Sequence, residues 1–124
     1  MDRNEGNGAP ARPNRRRERL DPKAMALTAE RLRVIAEPNR IALLEALNEA
    51  GEASVQELAD RVGVPHQKAS KHLVVLYGAG MVSRRPGEGN TSLYTLIDWT
   101  GWWVVEQIAQ WVQSGLGDEG QQGR

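Results

Sequence analysis

The chain has no cysteine and no phenylalanine, and only two of its 124 residues are histidine. Without cysteine there is no disulfide framework, no thiolate metal site and no cysteine nucleophile, and sensing through thiol oxidation is excluded. A reducing compartment is compatible with that absence. Two histidines and no convergent pair of carboxylates leave no triad or metal-assisted centre to assemble, so an enzyme is not expected and no cofactor is implied. Long apolar runs are missing too. None approaches the ~20 residues that span a bilayer, and the N-terminus lacks the apolar block of a secretory signal, so the expectation is a soluble, cytoplasmic chain without membrane contact. Net charge is also absent, with 16 basic against 16 acidic residues. That balance speaks against a wholesale polyanion binder.

What charge there is lies segregated along the chain. Residues 1 to 23 hold seven Arg/Lys against four Asp/Glu, and residues 62 to 90 hold Lys68, Lys71, Arg84 and Arg85 against Glu88 alone. From Asp98 to Gly123 there is no basic residue. One part is fit to meet a phosphate backbone, the other to meet something neutral. Residues 1–20, rich in Gly, Pro, Asn and Arg, read as a disordered basic arm able to add nonspecific affinity through phosphates or a minor groove. Residues 115–124 read as a disordered Gly-rich tail. Residues 21–114 form one domain, and low aromatic content favours close-packed helices of Leu, Val, Ile and Ala.

Within that domain a helix-prone stretch runs to Glu37, where Pro38 forces a break and begins a second helix carrying Ile41, Leu43, Leu44 and Leu47 to a stop at Gly51. "SVQE" then places Ser54 as N-cap with Glu57 three residues on, a capping box. Val55, Leu58, Ala59 and Val62 form an apolar stripe, and Gly63 closes the helix. Only Val64 separates that glycine from Pro65, which starts another helix, so the two must cross steeply as a helix-turn-helix. At about 100° per residue, Pro65, Ala69, His72, Leu73 and Leu76 share the packed face of the second helix. Gln67, Ser70, Lys71 and Val74 lie opposite, flanked by Lys68 and His66. Long polar side chains for base edges and cations for phosphates suit duplex DNA. Any exposed helical face is polar, however, and the same pattern fits a plain solvated helix. Beyond Gly80, Val82–Arg85 and Thr91–Ile97 are strand-like round a Pro86–Asn90 turn cluster, giving a β-hairpin with Arg84, Arg85 and Asn90 near its tip. The fold class is mainly α with a β-hairpin wing, a winged helix-turn-helix.

From about Leu27 to Ile97 the chain resembles the ArsR/SmtB family of winged helix-turn-helix regulators, through "AEPNRIALLEAL", "VQELADRVGVPHQKASKHLVVLYGAGMVSRR" and "SLYTLID" in the same order and spacing. The run Ser70-x-His72-Leu73 followed by Ala79-Gly80-Met81-Val82 is its most specific part. The resemblance implies a homodimeric bacterial or archaeal repressor on an inverted-repeat operator in double-stranded DNA, with a dimerising C-terminal helix. It places recognition-helix residues at His66, Gln67, Lys68, Ser70, Lys71 and His72, and wing contacts at Arg84, Arg85 and Asn90. Metal-sensing members draw on Cys near the first helix of the motif or on Asp, His and Glu of the last helix. Here the former lacks thiols and the latter offers Asp98 and Glu106 but no His, so no metal site is expected. Release from DNA then falls to a small apolar effector, a protein partner or a change in protein level.

All four tryptophans lie between Trp99 and Trp111. Val104, Val105, Ile108, Trp111 and Val112 project as one apolar face of this last helix, while Trp99, Trp102 and Trp103 lie round the other side. Two apolar faces fit packing on the chain's own domain and on a second subunit, with Trp99, Trp102, Trp103, Val104, Ile108 and Trp111 as candidate interface residues. A thick core helix in a monomer and a Trp-lined ligand pocket are the alternatives. A winged helix used only as a protein-interaction module is the rival function, since the fold hosts that role as well.

Overall fold

Prolines and glycines divide the chain as the sequence indicates. A computed structural model describes residues 18–121, with residues 117–121 described by backbone alone. Helix α1 (Pro22–Ile35) has proline at its start and ends where Ala36 donates to the Leu32 carbonyl. The residue before Pro38 cannot stay helical. Glu37 instead takes an extended backbone and caps α2 (Pro38–Ala50), its carboxylate accepting the Arg40 amide at 2.9 Å. Ser54 and Glu57 form the expected reciprocal capping box at the head of α3 (Val55–Val62), with bonds of 3.1 and 2.9 Å. Gly63 closes α3 in the left-handed region at φ 83, a conformation other residues rarely adopt. Pro65 caps α4 (His66–Gly78) from just outside the helix.

The wing is formed by β2 (Val82–Pro86) and β3 (Ser92–Leu96), antiparallel with Val82 opposite Leu96 and Pro86 opposite Ser92. Gly89, at φ 64, lets the chain reverse between them. A third strand, β1 (Glu52–Ser54), pairs with the other edge of β3, giving the order β1-β3-β2. It had no signal in the sequence: three residues are too few for a period-two pattern, and Ser54 already serves as a helix cap.

The core is made chiefly of aliphatic side chains. Leu43, Leu44 and Leu47 of α2, Leu58 of α3, Leu73 and Leu76 of α4, and Met81 and Val82 are all under 2% exposed. Ala59 and Ala69 let α3 and α4 approach closely, and of the helix pairs these two share the most contact. Burying one such leucine contributes about 1.5–3 kcal/mol, so α4 is held rigidly by its inner face.

Helix α5 (Trp99–Gln121) starts from Asp98, whose carboxylate accepts the Gly101 amide at 2.9 Å. Where the Gly-rich composition of 115–124 predicts a frayed tail, α5 continues to Gln121. The basic arm read into residues 1–20 lies, through residue 17, outside the described residues.

Candidate nucleic-acid interface

The face of α4 opposite Ala69, Leu73 and Leu76 is open to solvent, and His66, Gln67, Lys68 and Lys71 are all exposed on it. Ser70 is half-buried, because α4 borders a groove there. That groove, of about 350 Å³, runs between the head of α3, α4 and the wing, and brings His66 and Ser70 beside Arg84 and Asn90, with Val74 and Tyr94 among its walls. Gln67, Lys68 and Lys71 border a second hollow on the other side of the α4 N-terminus, together with Pro65 and His72. The helix end carries partial positive charge, which adds to that of the lysines.

The two wing arginines, equivalent in the sequence, differ in the structure. Arg84 lies over the Tyr77 ring, 4.1 Å from its centroid. Its guanidinium is held above the ordinary arginine range, first by the neighbouring Tyr94 hydroxyl and then by the nearby Tyr77. Stacking fixes the planar group at the groove without neutralising it. Arg85 instead makes a two-pronged pair with Glu52 of β1, at 2.7 and 2.8 Å. That hydrogen bond holds the Glu52 carboxyl below the usual carboxylate range. Arg85 therefore meets a carboxylate already in place, and of the two wing arginines Arg84 is the one not paired with a carboxylate.

His72 is also placed apart from the other α4 candidates. Its side chain is 15% exposed, turned inward as the helical projection indicates, and its Nδ1 lies 3.1 Å from Arg40 Nη1. The resemblance grouped His72 with the DNA-facing residues, whereas its ring belongs to the seam between α2 and α4.

The aromatic helix needs a larger correction. Trp102, expected at a subunit interface, is 7% exposed and packs with Val105 in the protomer core, its indole Nε1 buried without a hydrogen-bond partner. Asp98, Gly101, Trp102 and Val105 recur at i, i+3, i+4 and i+7, and this is the stripe that seats α5. Val104 is half-buried and lines a cleft with Leu27, Leu32 and Ile35 of α1, bridged by an Arg31–Asp98 ion pair at 3.3 Å. Trp99, Trp103, Ile108 and Trp111 are all more than half exposed. From Ile108 through Leu116 every residue is exposed, because α5 has left the body by then. The α1 helix matches it: residues 18–33 are all exposed, with Leu20, Met25, Leu27 and Leu32 among them. The sequence marks this stretch only as helix-prone and assigns it no part in an interface.

Among the described residues no group of three or more His, Cys, Asp or Glu converges in metal-ligating geometry, and no helix is long and apolar enough to cross a membrane.

A helix-turn-helix followed at once by a two-stranded wing, with the short β1 ahead of the motif completing its sheet, defines the winged helix-turn-helix class. The helix-turn-helix domain family matches residues 35–85. The chain is 41% identical over 69 residues to the HTH-type transcriptional repressor SmtB of Mycobacterium tuberculosis, covering 56% of this chain and 50% of SmtB. It thus spans about half the length of that relative. It is 33% identical over 70 residues to the HTH-type transcriptional regulator MJ1325 of Methanocaldococcus jannaschii, covering 78% of that protein and 56% of this chain. The solution structure of the homodimeric winged helix-turn-helix DNA-binding domain of Mb0332 from Mycobacterium bovis, described as a possible ArsR-family regulator, superposes with a TM-score of 0.61 at 26% identity, over 74% of this chain and 88% of that domain. The chain belongs to the ArsR/SmtB family of winged helix-turn-helix transcriptional regulators.

Proposed function

We propose that this protein is a homodimeric, sequence-specific DNA-binding repressor whose α4 enters the major groove while the wing lies along the neighbouring backbone. The observation that carries this reading is the convergence, on a rigidly seated helix and one groove, of His66, Ser70, Arg84 and Asn90, with Gln67, Lys68 and Lys71 exposed on the adjoining face. Donors and acceptors on a helix N-terminus suit base edges, and a stacked arginine with two lysines suits phosphates. Second copies join through α1 and α5, because a soluble monomer rarely keeps an apolar surface such as Trp99, Trp103, Ile108, Trp111, Leu27 and Leu32 in water. Two α4 helices in one dimer then read half-sites about one helical turn, ~10 bp, apart or a multiple of it.

The donor set argues for regulation without a metal ion. The chain has no thiolate, and one of its two imidazoles is engaged with Arg40. Asp98 and Glu106 lie eight residues apart, roughly 12 Å along a helix at ~1.5 Å per residue. Operator affinity should be unchanged by zinc, nickel, copper or arsenite, and a tenfold metal-dependent loss would contradict this part.

The test of the main reading is selection of duplexes from a random pool, followed by a salt titration. A DNA reader enriches a sequence with two related half-sites and loses affinity linearly on a log–log salt plot. A protein-interaction module enriches nothing.

A further inference from the structure

Arg40, in the first turn of α2, sends its guanidinium in two directions. Its Nε donates to the Val34 carbonyl at 2.6 Å, and its Nη1 meets His72 Nδ1 at 3.1 Å. Val34 lies in the last turn of α1, whose carbonyls have no partner within the helix. His72 lies in the middle of α4, next to Lys71 and two residues from Ser70. A guanidinium can only donate, so Nδ1 must supply the lone pair and the ring proton sits on Nε2. That nitrogen is 4.0 Å from Glu37, the carboxylate that caps α2 and accepts the Arg40 amide. Three helices therefore meet at one side chain.

We propose that Arg40 and His72 are positioning residues that transmit the placement of α1 to the recognition helix. This rests on reading α4 as the DNA-reading helix and α1 with α5 as the subunit contact. Residues 18–33 are all exposed, and among the residues of α1 only Ile35 is buried, with Val34 packed beside it, so the last turn is where α1 joins the core, the Arg31–Asp98 ion pair and the cleft at Leu27 and Leu32 being its contacts with α5. A second copy that docks on α1 moves the Val34 carbonyl, and Arg40 carries that displacement to His72. Ser70 and Lys71 shift with it. His72 so placed orients the base-reading residues and does not itself touch a base. Coupling of this kind is established by an energetic cycle, not by proximity.

The experiment uses the full chain, a duplex selected by the wild type, and a random duplex of equal length. His72→Phe keeps a ring without an acceptor, whereas His72→Asn offers its amide oxygen near the place of Nδ1. His72→Phe and Arg40→Lys should each weaken the selected duplex about tenfold, with random-duplex affinity and salt slope unchanged. The double variant should lose no more than either single one, and His72→Asn should stay within about threefold of wild type. Additive losses would overturn the proposal in favour of a direct base contact by His72. Equal losses on both duplexes with no rescue by asparagine would overturn it in favour of a purely structural role. Nitrogen NMR of the DNA-free protein gives a second reading. The His72 ring should carry its proton on Nε2, and Arg40→Lys should abolish that preference and shift amides in both α1 and α4. If the wild type selects no duplex, the DNA-reading function fails, and amides of α4 indifferent to Arg40→Lys overturn the α1-to-α4 link by themselves.

Discussion

The two ends of this domain expose different surface for different reasons. Around α3, α4 and the wing most large apolar groups are internal, Val74, Val75 and Tyr77 of α4 being the exceptions, and the rest of what faces water is polar or charged. Arg84 has its tyrosines, Arg85 its glutamate, and Ser54 and Glu57 cap one another. Around α1 and α5, leucines and tryptophans face water, Leu20, Leu27, Leu32, Trp99, Trp103 and Trp111 among them. The first region is finished as a folded surface, fit for the polyanion of the proposed function; the second has the composition of half a core, as the proposed dimer requires. On the proposed reading, recognition belongs to one protomer, while the apolar pair of helices serves to join two.

Tryptophan substitutions break this comparison most strongly. Trp102→Ala opens a cavity in the protomer core and should cost about 3–5 kcal/mol in thermal or denaturant unfolding. Trp102→Phe, which also removes a buried N–H without a partner, should cost clearly less. Trp103→Ala combined with Trp111→Ala should leave the protomer fold intact by circular dichroism yet shift sedimentation toward monomer, each anchor contributing on the order of 2 kcal/mol to association. A wild type that runs as a monomer at micromolar concentration would remove the distinction altogether.

Substitutions in the polar region should act on DNA alone. Gln67→Ala relaxes base preference at one position by about 1–3 kcal/mol, whereas Lys71→Ala or Arg84→Ala weakens every sequence and lowers the log–log salt slope by roughly one. Glu52→Gln sharpens the contrast between the wing arginines. It releases Arg85, and the salt dependence of random-duplex binding should steepen slightly.

The smallest effect is on pH dependence. Glu37 and Glu52 are held below the usual carboxylate range, Glu37 first by the Arg40 amide and Glu52 first by the Arg85 side chain. A lowered folded-state value means that their stabilisation is present at neutral pH, above the unfolded-state value, and is lost as pH falls through the folded one. Melting temperature should fall with acidification across the carboxylate range, and Glu52→Gln should flatten part of that fall.

How much of this was legible in the sequence depends on the range of each interaction. The capping box, the Gly63 stop and the buried Ala69, Leu73 and Leu76 are local, set by neighbours within a turn or two, and the hairpin follows from its turn cluster. Arg85 meets a carboxylate 33 positions away and Arg40 a histidine 32 positions away, and no periodicity carries such pairs. The burial of Trp102 was illegible for another reason. A helix with apolar residues nearly all round does not say which stripe docks or where it leaves the body. The same ambiguity holds for α1, whose apolar residues mark a helix-prone stretch without saying how much of it is covered.

The central claim is that the polar region reads DNA only when the apolar region has joined two protomers. Its most direct test is to measure sedimentation and affinity together on one selected duplex, for wild type and for Trp103→Ala combined with Trp111→Ala, across a salt series. The account predicts two wild-type protomers per duplex, a linear log–log salt dependence, and a variant that stays folded but binds the selected duplex no better than a random one. A variant that remains monomeric and still prefers the selected duplex by the wild-type ratio would contradict it.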